Sequence, residues 1–173
     1  MWVYEKKLQY PVKLKNTNPK LASVIISQLG GPDGELGAAT RYLNQRFSMT
    51  DGKVIGILTD VGSEELGHAE MISAILHQLT RNLTPDEIKA SGMEKYFVDH
   101  TLGTYPASAS GVPFTAAYVG VKGDPVADLV EDLAADAAII KEQPLSKKSR
   151  KPLENKDFSH LGKTLKNHIP AII

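Results

Sequence analysis

The chain has no cysteine among its 173 residues. Disulfide bonds, thiolate metal ligands and a cysteine nucleophile are therefore excluded. The chain also has no excess of charge of either sign, because 20 Lys and Arg residues balance 20 Asp and Glu residues. This balance gives no reason to expect nucleic acid or an anionic membrane surface as a partner.

Long apolar runs are absent as well. No stretch reaches the roughly 20 consecutive apolar residues that a membrane-spanning helix needs. The opening, MWVYEKKLQYPVKLK, lacks the unbroken apolar segment and the small-residue cleavage site of a signal peptide. We therefore expect a cytoplasmic protein that does not bind a membrane.

The length suits one domain with a sizeable core, which we place over residues 1–173. We divide it into an extended arm with few apolar contacts (1–17), a helical bundle core (18–142) and a divergent tail (143–173). The tail is basic, because from Lys141 onward eight Lys or Arg residues stand against three Asp or Glu residues.

Three long helices are predicted in the core. The first covers 18–47 and is kinked at Pro32, because proline cannot donate a backbone hydrogen bond. The second covers 53–80 and the third covers 124–142. Residues 99–123 are rich in Gly, Pro, Ser and Thr. They predict a long crossover loop, and loops of this length are usually functional.

Two polar residues interrupt the apolar face of the second helix. Steps of three and four residues from Val54 pass through apolar positions and then meet Glu65 and His68. A buried carboxylate costs several kcal/mol unless it is paired or bound to a metal. The two residues are three apart in the sequence, so both side chains lie on the same helix face and can bind the same metal centre.

Each other helical segment also brings one carboxylate or imidazole to its predicted buried face. The first helix carries Glu35, with Tyr42 two turns further along the same face. The third carries Asp136, and a weaker helical pattern at 158–168 carries His168. The apolar members of the third helix's predicted face are Val126, Leu129, Leu133 and Ile140.

Dimetal helical bundles use the ligand order Glu, Glu-x-x-His, Glu, Glu-x-x-His. Glu35 and the pair Glu65 and His68 fit the first half of this order, whereas the second half is degraded. An equally good interpretation of Asp136 is that it is a solvent-exposed acid and not a metal ligand. His168 reads equally well as a histidine at the core edge or as a cation at a helix C-terminus.

Four stretches of the sequence together resemble the manganese catalases. They cover about residues 1–136 and read MWVYEKKLQYPVK, GGPDGELGAATRYLNQRF, DVGSEELGHAEMI and GVPFTAAYVGVKGDPVADLVEDLAAD. The likeness is greatest to the spore-coat branch, the CotJC-type proteins. The resemblance implies an all-α, ferritin-like four-helix bundle with two manganese ions that converts hydrogen peroxide to water and dioxygen. It also implies a homo-oligomer, a hexamer in the family, and a place in the spore coat beside other coat proteins.

The resemblance also implies roles for individual residues. Glu35 matches the ligand from the first helix, Glu65 the carboxylate that bridges the two metals, and His68 the first histidine ligand. Tyr42 matches a tyrosine beside the first-helix glutamate, so Glu65 and Tyr42 are the expected catalytic residues. Asp136 stands where the family has its third glutamate ligand.

The resemblance ends after Asp136. Pro144 stops the third helix early, and Leu165 stands where the family has the glutamate of its last Glu-x-x-His pair. His168 lies within one residue of the expected final histidine, so we expect a short or degraded fourth helix. Three hypotheses remain: an active manganese catalase, a structural coat or scaffold protein with a degenerate metal site, and an iron-handling ferritin-like protein. The choice of manganese over iron rests on the family alone.

Overall fold

The computed structural model describes residues 3–97 and 103–142, with side chains described up to residue 135. Its helices are α1 (Pro19–Gly30), α2 (Glu35–Gln45), α3 (Gly52–Thr80), α4 (Pro85–Ala90) and α5 (Pro125–Glu142). Elsewhere in the described ranges there are two short 3-10 turns and two isolated bridges, but no strand. The all-α prediction is confirmed. The weak helix predicted at 158–168 lies outside the described residues.

The first predicted helix is divided in two at the predicted interruption near Pro32, where the structure has a complete break and not only a kink. Asn18 caps α1 by accepting a hydrogen bond from the backbone of Leu21 at 3.0 Å. After Gly30 the chain turns, and α2 begins at Glu35. Gly30, the last residue of α1, allows a close approach of the chain, because a Cβ atom there would lie 2.4 Å from the backbone nitrogen of Ala107. The loop that contains Ala107 thus packs directly on the end of α1.

Helix α3 is the central element, and both α1 and α2 pack against it. Its 29 residues make it about 43 Å long. Its C-terminal half packs with α1 in a larger apolar cluster that includes Ile25, Ile26, Leu29, Ile72 and Leu76. Its N-terminal half packs with α2 in a smaller cluster of Ala38, Tyr42, Met49, Leu58 and Val61. No described helix is long and apolar enough to cross a membrane.

The arm makes more contacts than the sequence suggested. Its apolar side chains pack against the larger cluster; they are Leu8, Tyr10, Val12 and Leu14. Gln78 of α3 also accepts a hydrogen bond from the backbone nitrogen of Leu14 at 2.7 Å and donates one to the carbonyl of Val12 at 2.8 Å. The expectation of an arm with few apolar contacts is therefore wrong.

Helix α5 begins within one residue of its predicted start, but its most buried face differs from the predicted one. Val126, predicted to face inside, is 73% exposed, whereas Leu129 and Leu133, predicted on the same face, are half-buried. The buried positions are Asp128, Asp132 and Ala135. The prediction that Asp136 is the only charge on the buried face is therefore wrong. Asp128 tolerates burial because its carboxylate accepts two backbone hydrogen bonds from the chain just before the helix.

Candidate metal centre

Three of the predicted ligands meet at the boundary between the two apolar clusters. Glu35 is the first residue of α2, where the helix dipole favours a carboxylate. Glu65 and His68 lie on one turn near the middle of α3. Glu35 and Glu65 are each 1% exposed, and His68 is 0% exposed. The fold thus places three ligating side chains in its interior.

The three side chains are close enough to share an ion. Nδ1 of His68 lies 2.6 Å from Oε2 of Glu65 and 3.7 Å from Oε2 of Glu35. One ligand atom from each residue lies within 4.8 Å of those of the other two. Oε2 of Glu35 has no hydrogen-bond partner among the described residues. A cation between the three groups would supply this missing interaction.

The cluster has unusual protonation behaviour without a metal. Burial, together with the charge of Glu35, raises the pKa of Glu65 to about 8. Burial alone would lower the pKa of His68, but the interactions of its ring with Glu35 and Glu65 outweigh burial and raise this pKa to about 10. The cluster therefore holds protons at neutral pH, and a divalent cation would replace them.

The structure describes the side chain of Tyr42 but only the backbone of Asp136. Tyr42 is fully buried on α2, two turns after Glu35, and belongs to the smaller cluster. Asp136 lies within α5, which packs against α2, but its side chain is not among those described. His168 lies outside the described residues. Metal binding by Glu35, Glu65, His68, Asp136 and His168 stays a prediction, as does the role of Tyr42.

The sequence did not predict three other charged side chains that the structure buries. Asp128 and Asp132 are buried on α5, and Arg41 is only 3% exposed on α2. Nη2 of Arg41 lies 3.4 Å from the carbonyl oxygen of Tyr118 and 3.9 Å from a carboxylate oxygen of Asp33. The four-residue spacing of Asp128 and Asp132 was the available signal, since it places both on one helix face.

The helical bundle and the buried cluster of two glutamates and one histidine define the class: a helical bundle protein with a candidate carboxylate–histidine metal site. Residues 1–147 match the manganese-containing catalase family. The chain belongs to this family.

Individual relatives agree with this assignment. The chain is 54% identical to protein CotJC of Bacillus subtilis over 136 residues, which cover 79% of this chain and 71% of CotJC. It is 36% identical to a probable manganese catalase of Clostridium acetobutylicum, with 79% and 61% covered. The crystal structure of KatB, a manganese catalase from Anabaena, superposes with a TM-score of 0.85 at 28% identity, covering 99% of this chain and 78% of KatB. The fold is thus that of the ferritin-like manganese catalases.

The chain is shorter than most of these relatives. The match spans 71% of CotJC, 61% of the Clostridium protein and 53% of a manganese catalase from Lactiplantibacillus plantarum. The described residues contain the first half of the expected ligand set, Glu35, Glu65 and His68.

Proposed function

We propose that this protein disproportionates hydrogen peroxide to water and dioxygen at a centre of two manganese ions. The observation that carries the proposal is the convergence of Glu35, Glu65 and His68, all buried, within 4.8 Å of one another. In this proposal Glu35, Glu65 and His68 would hold the ions, with Glu65 as the bridging carboxylate that the family implies, and Asp136 and His168 would complete the second half of the ligand set.

The donor set fits these ions. It offers carboxylate oxygens and an imidazole nitrogen and no thiolate, a combination that suits manganese or iron. Membership of the manganese-containing catalase family supports manganese over iron. Asp136 is one methylene shorter than glutamate, so it must approach a metal more closely to bind it.

Bound manganese ions would supply a store for two electrons, so that one peroxide is reduced to water while a second is oxidised to dioxygen. The protein's own residues hold the ions and control their surroundings. The carboxylates of Glu35 and Glu65 offset the positive charge, and the apolar clusters on either side keep bulk water away. Tyr42, buried two turns beyond Glu35, is the expected neighbour of the reacting peroxide.

The relatives also bear on where in the cell the protein acts. We propose a cytoplasmic protein that assembles in the spore coat with other coat proteins as partners; the identity of 54% to CotJC supports the spore-coat part of this proposal. We further propose that the chain forms a homo-oligomer, as its family implies.

Metal analysis combined with a peroxide assay tests the proposal. The purified full chain is expected to hold close to two manganese ions per chain and to release dioxygen from hydrogen peroxide. Protein that assembles without metal and releases no dioxygen would contradict it and favour a structural coat role. Iron at similar occupancy would instead favour an iron-handling protein.

A further inference from the structure

Helix α5 buries two carboxylates in the part whose side chains the structure describes. Val126 and Val130 face outward and are mostly exposed, while Asp128 and Asp132 are completely buried. The main neighbour of α5 among the described helices is α2. Leu129 packs against the smaller apolar cluster, but apolar contact is not directional. Hydrogen bonds must therefore set how far α5 lies along its neighbour.

The first of these hydrogen bonds starts from the last residue of α2. Gln45 is fully buried, and its Nε2 donates to the carbonyl oxygen of Gly120 at 2.9 Å. Gly120 in turn lies directly against α5, because a Cβ atom there would stand 2.4 Å from Oε1 of Glu131. Gly120 is thus held between the end of α2 and the second turn of α5.

The second set of hydrogen bonds starts from α5 itself. Oδ1 of Asp128 accepts from the backbone nitrogen of Lys122 at 2.7 Å, and Oδ2 accepts from that of Gly123 at 3.2 Å. Gly123 has a φ of +76°, which glycine adopts easily, so the chain turns sharply into the helix. The segment that Gln45 holds at Gly120 is therefore held by Asp128 only two residues later.

We propose that Gln45 and Asp128 are positioning residues that fix the register of α5 against α2 and thereby place Asp136. Asp136 follows Asp128 by eight residues, about 12 Å along the helix. The register itself is independent of metal. Its consequence, that Gln45 and Asp128 govern how tightly the second ion is held, rests on the proposed function.

Distances between spin labels test the register without any metal. The chain has no cysteine, so engineered cysteines are labelled selectively. Labels at Val130→Cys on α5 and Gly56→Cys on α3 measure the distance between α5 and α3. Labels at Asn44→Cys on α2 and Gly56→Cys measure the distance between α2 and α3. All three positions are exposed. Labelled chain is diluted with unlabelled chain, so that only pairs within one chain contribute.

Gln45→Met and Asp128→Asn are expected to shift or broaden the α5–α3 distances and to leave the α2–α3 distances unchanged. Ser48→Ala is the matched control, because it removes only a hydrogen bond to the carbonyl of Gln45 at the same helix end. Unchanged α5–α3 distances in both variants overturn the proposal. Equal broadening of both pairs also overturns it, because that result indicates general loosening. If Asp128→Asn does not fold, Gln45→Met decides alone.

Manganese titration tests the consequence for the site. Gln45→Met is expected to weaken binding of the second ion by about tenfold to a hundredfold, as removal of supporting hydrogen bonds does at other metal sites. Binding of the first ion should match that of Ser48→Ala. If the parent chain binds no pair of ions, the proposed function fails, and the spin-label distances still decide the register.

Discussion

Among single residues, Glu65 is a carboxylate buried beside both other members of the candidate metal site. Its carboxylate lies 2.6 Å from His68 and is also near Glu35, with all three side chains out of contact with water. Two neighbouring carboxylates in an apolar interior repel each other, which is one reason why the pKa of Glu65 is raised to about 8. A divalent ion removes that repulsion.

Glu65→Ala is therefore expected to abolish binding of a metal pair, because it removes the proposed bridge. Metal content per chain, measured after saturation with manganese and gel filtration, is the readout. Glu64→Gln is the matched control, since Glu64 is the adjacent residue and is outside the metal cluster. Two ions retained by Glu65→Ala would show that Glu65 is not the bridge.

Among the helices, α3 offers two glycines with opposite expected effects. A Cβ atom on Gly62 would lie 2.8 Å from Cγ of Leu43 and 3.2 Å from Cβ of Tyr42, whereas one on Gly56 meets nothing within 4 Å. Gly62→Ala is expected to lower the free energy of unfolding by about 1–3 kcal/mol through overpacking. Gly56→Ala should raise it by up to about 1 kcal/mol, because alanine favours helix.

Urea denaturation at one fixed protein concentration measures both changes. Since the two substitutions add the same methyl group to the same helix, their difference isolates the contact with α2. A Gly62→Ala protein as stable as Gly56→Ala would mean that α2 and α3 do not pack as closely as the structure shows.

The arm gives a second prediction for an individual element. Gln78→Met keeps most of the side-chain volume but removes both hydrogen bonds to the arm. At about 0.5–1.5 kcal/mol for each bond, amide exchange at Leu14 should become roughly tenfold to a hundredfold faster. Ser73→Ala, which removes only a bond within α3, is the control and should leave that exchange unchanged. Equal exchange rates in the two variants would contradict a clamping role for Gln78.

Sequence periodicity predicted the buried face of α3 correctly, but it did not predict the buried face of α5. In α3 the apolar steps are regular, so Glu65 and His68 stood out as exceptions that the structure does bury. In α5 hydropathy favoured Val126 as an inward residue, but the structure buries Asp128 instead. The cause is a hydrogen-bond partner outside the helix, and no pattern within the helix reveals it. Arg41 was missed for a similar reason, since its contacts come from a distant loop.

In the molecule as a whole, the polar centre divides the apolar interior. The larger cluster lies on one side of Glu65 and His68 along α3, and the smaller cluster lies on the other. Glu35 comes from α2, so an ion held by all three residues would join α2 to α3 at this boundary. Metal binding should therefore stabilise the whole bundle and not only the site.

Ligand that binds only the folded state stabilises it by mass action, by about 2.7 kcal/mol at a free concentration of one hundred times Kd. For a chain of this size, that corresponds to a rise in Tm of roughly 5–10 °C. We expect this rise when manganese is added to metal-free protein, and its reversal by a chelator. Magnesium at equal concentration should do less, because it favours an all-oxygen ligand set and the cluster includes an imidazole. Glu65→Ala should lose the manganese response, because one of the three groups is gone. A Tm that manganese leaves unchanged in the parent protein would mean that Glu35, Glu65 and His68 do not hold an ion between α2 and α3.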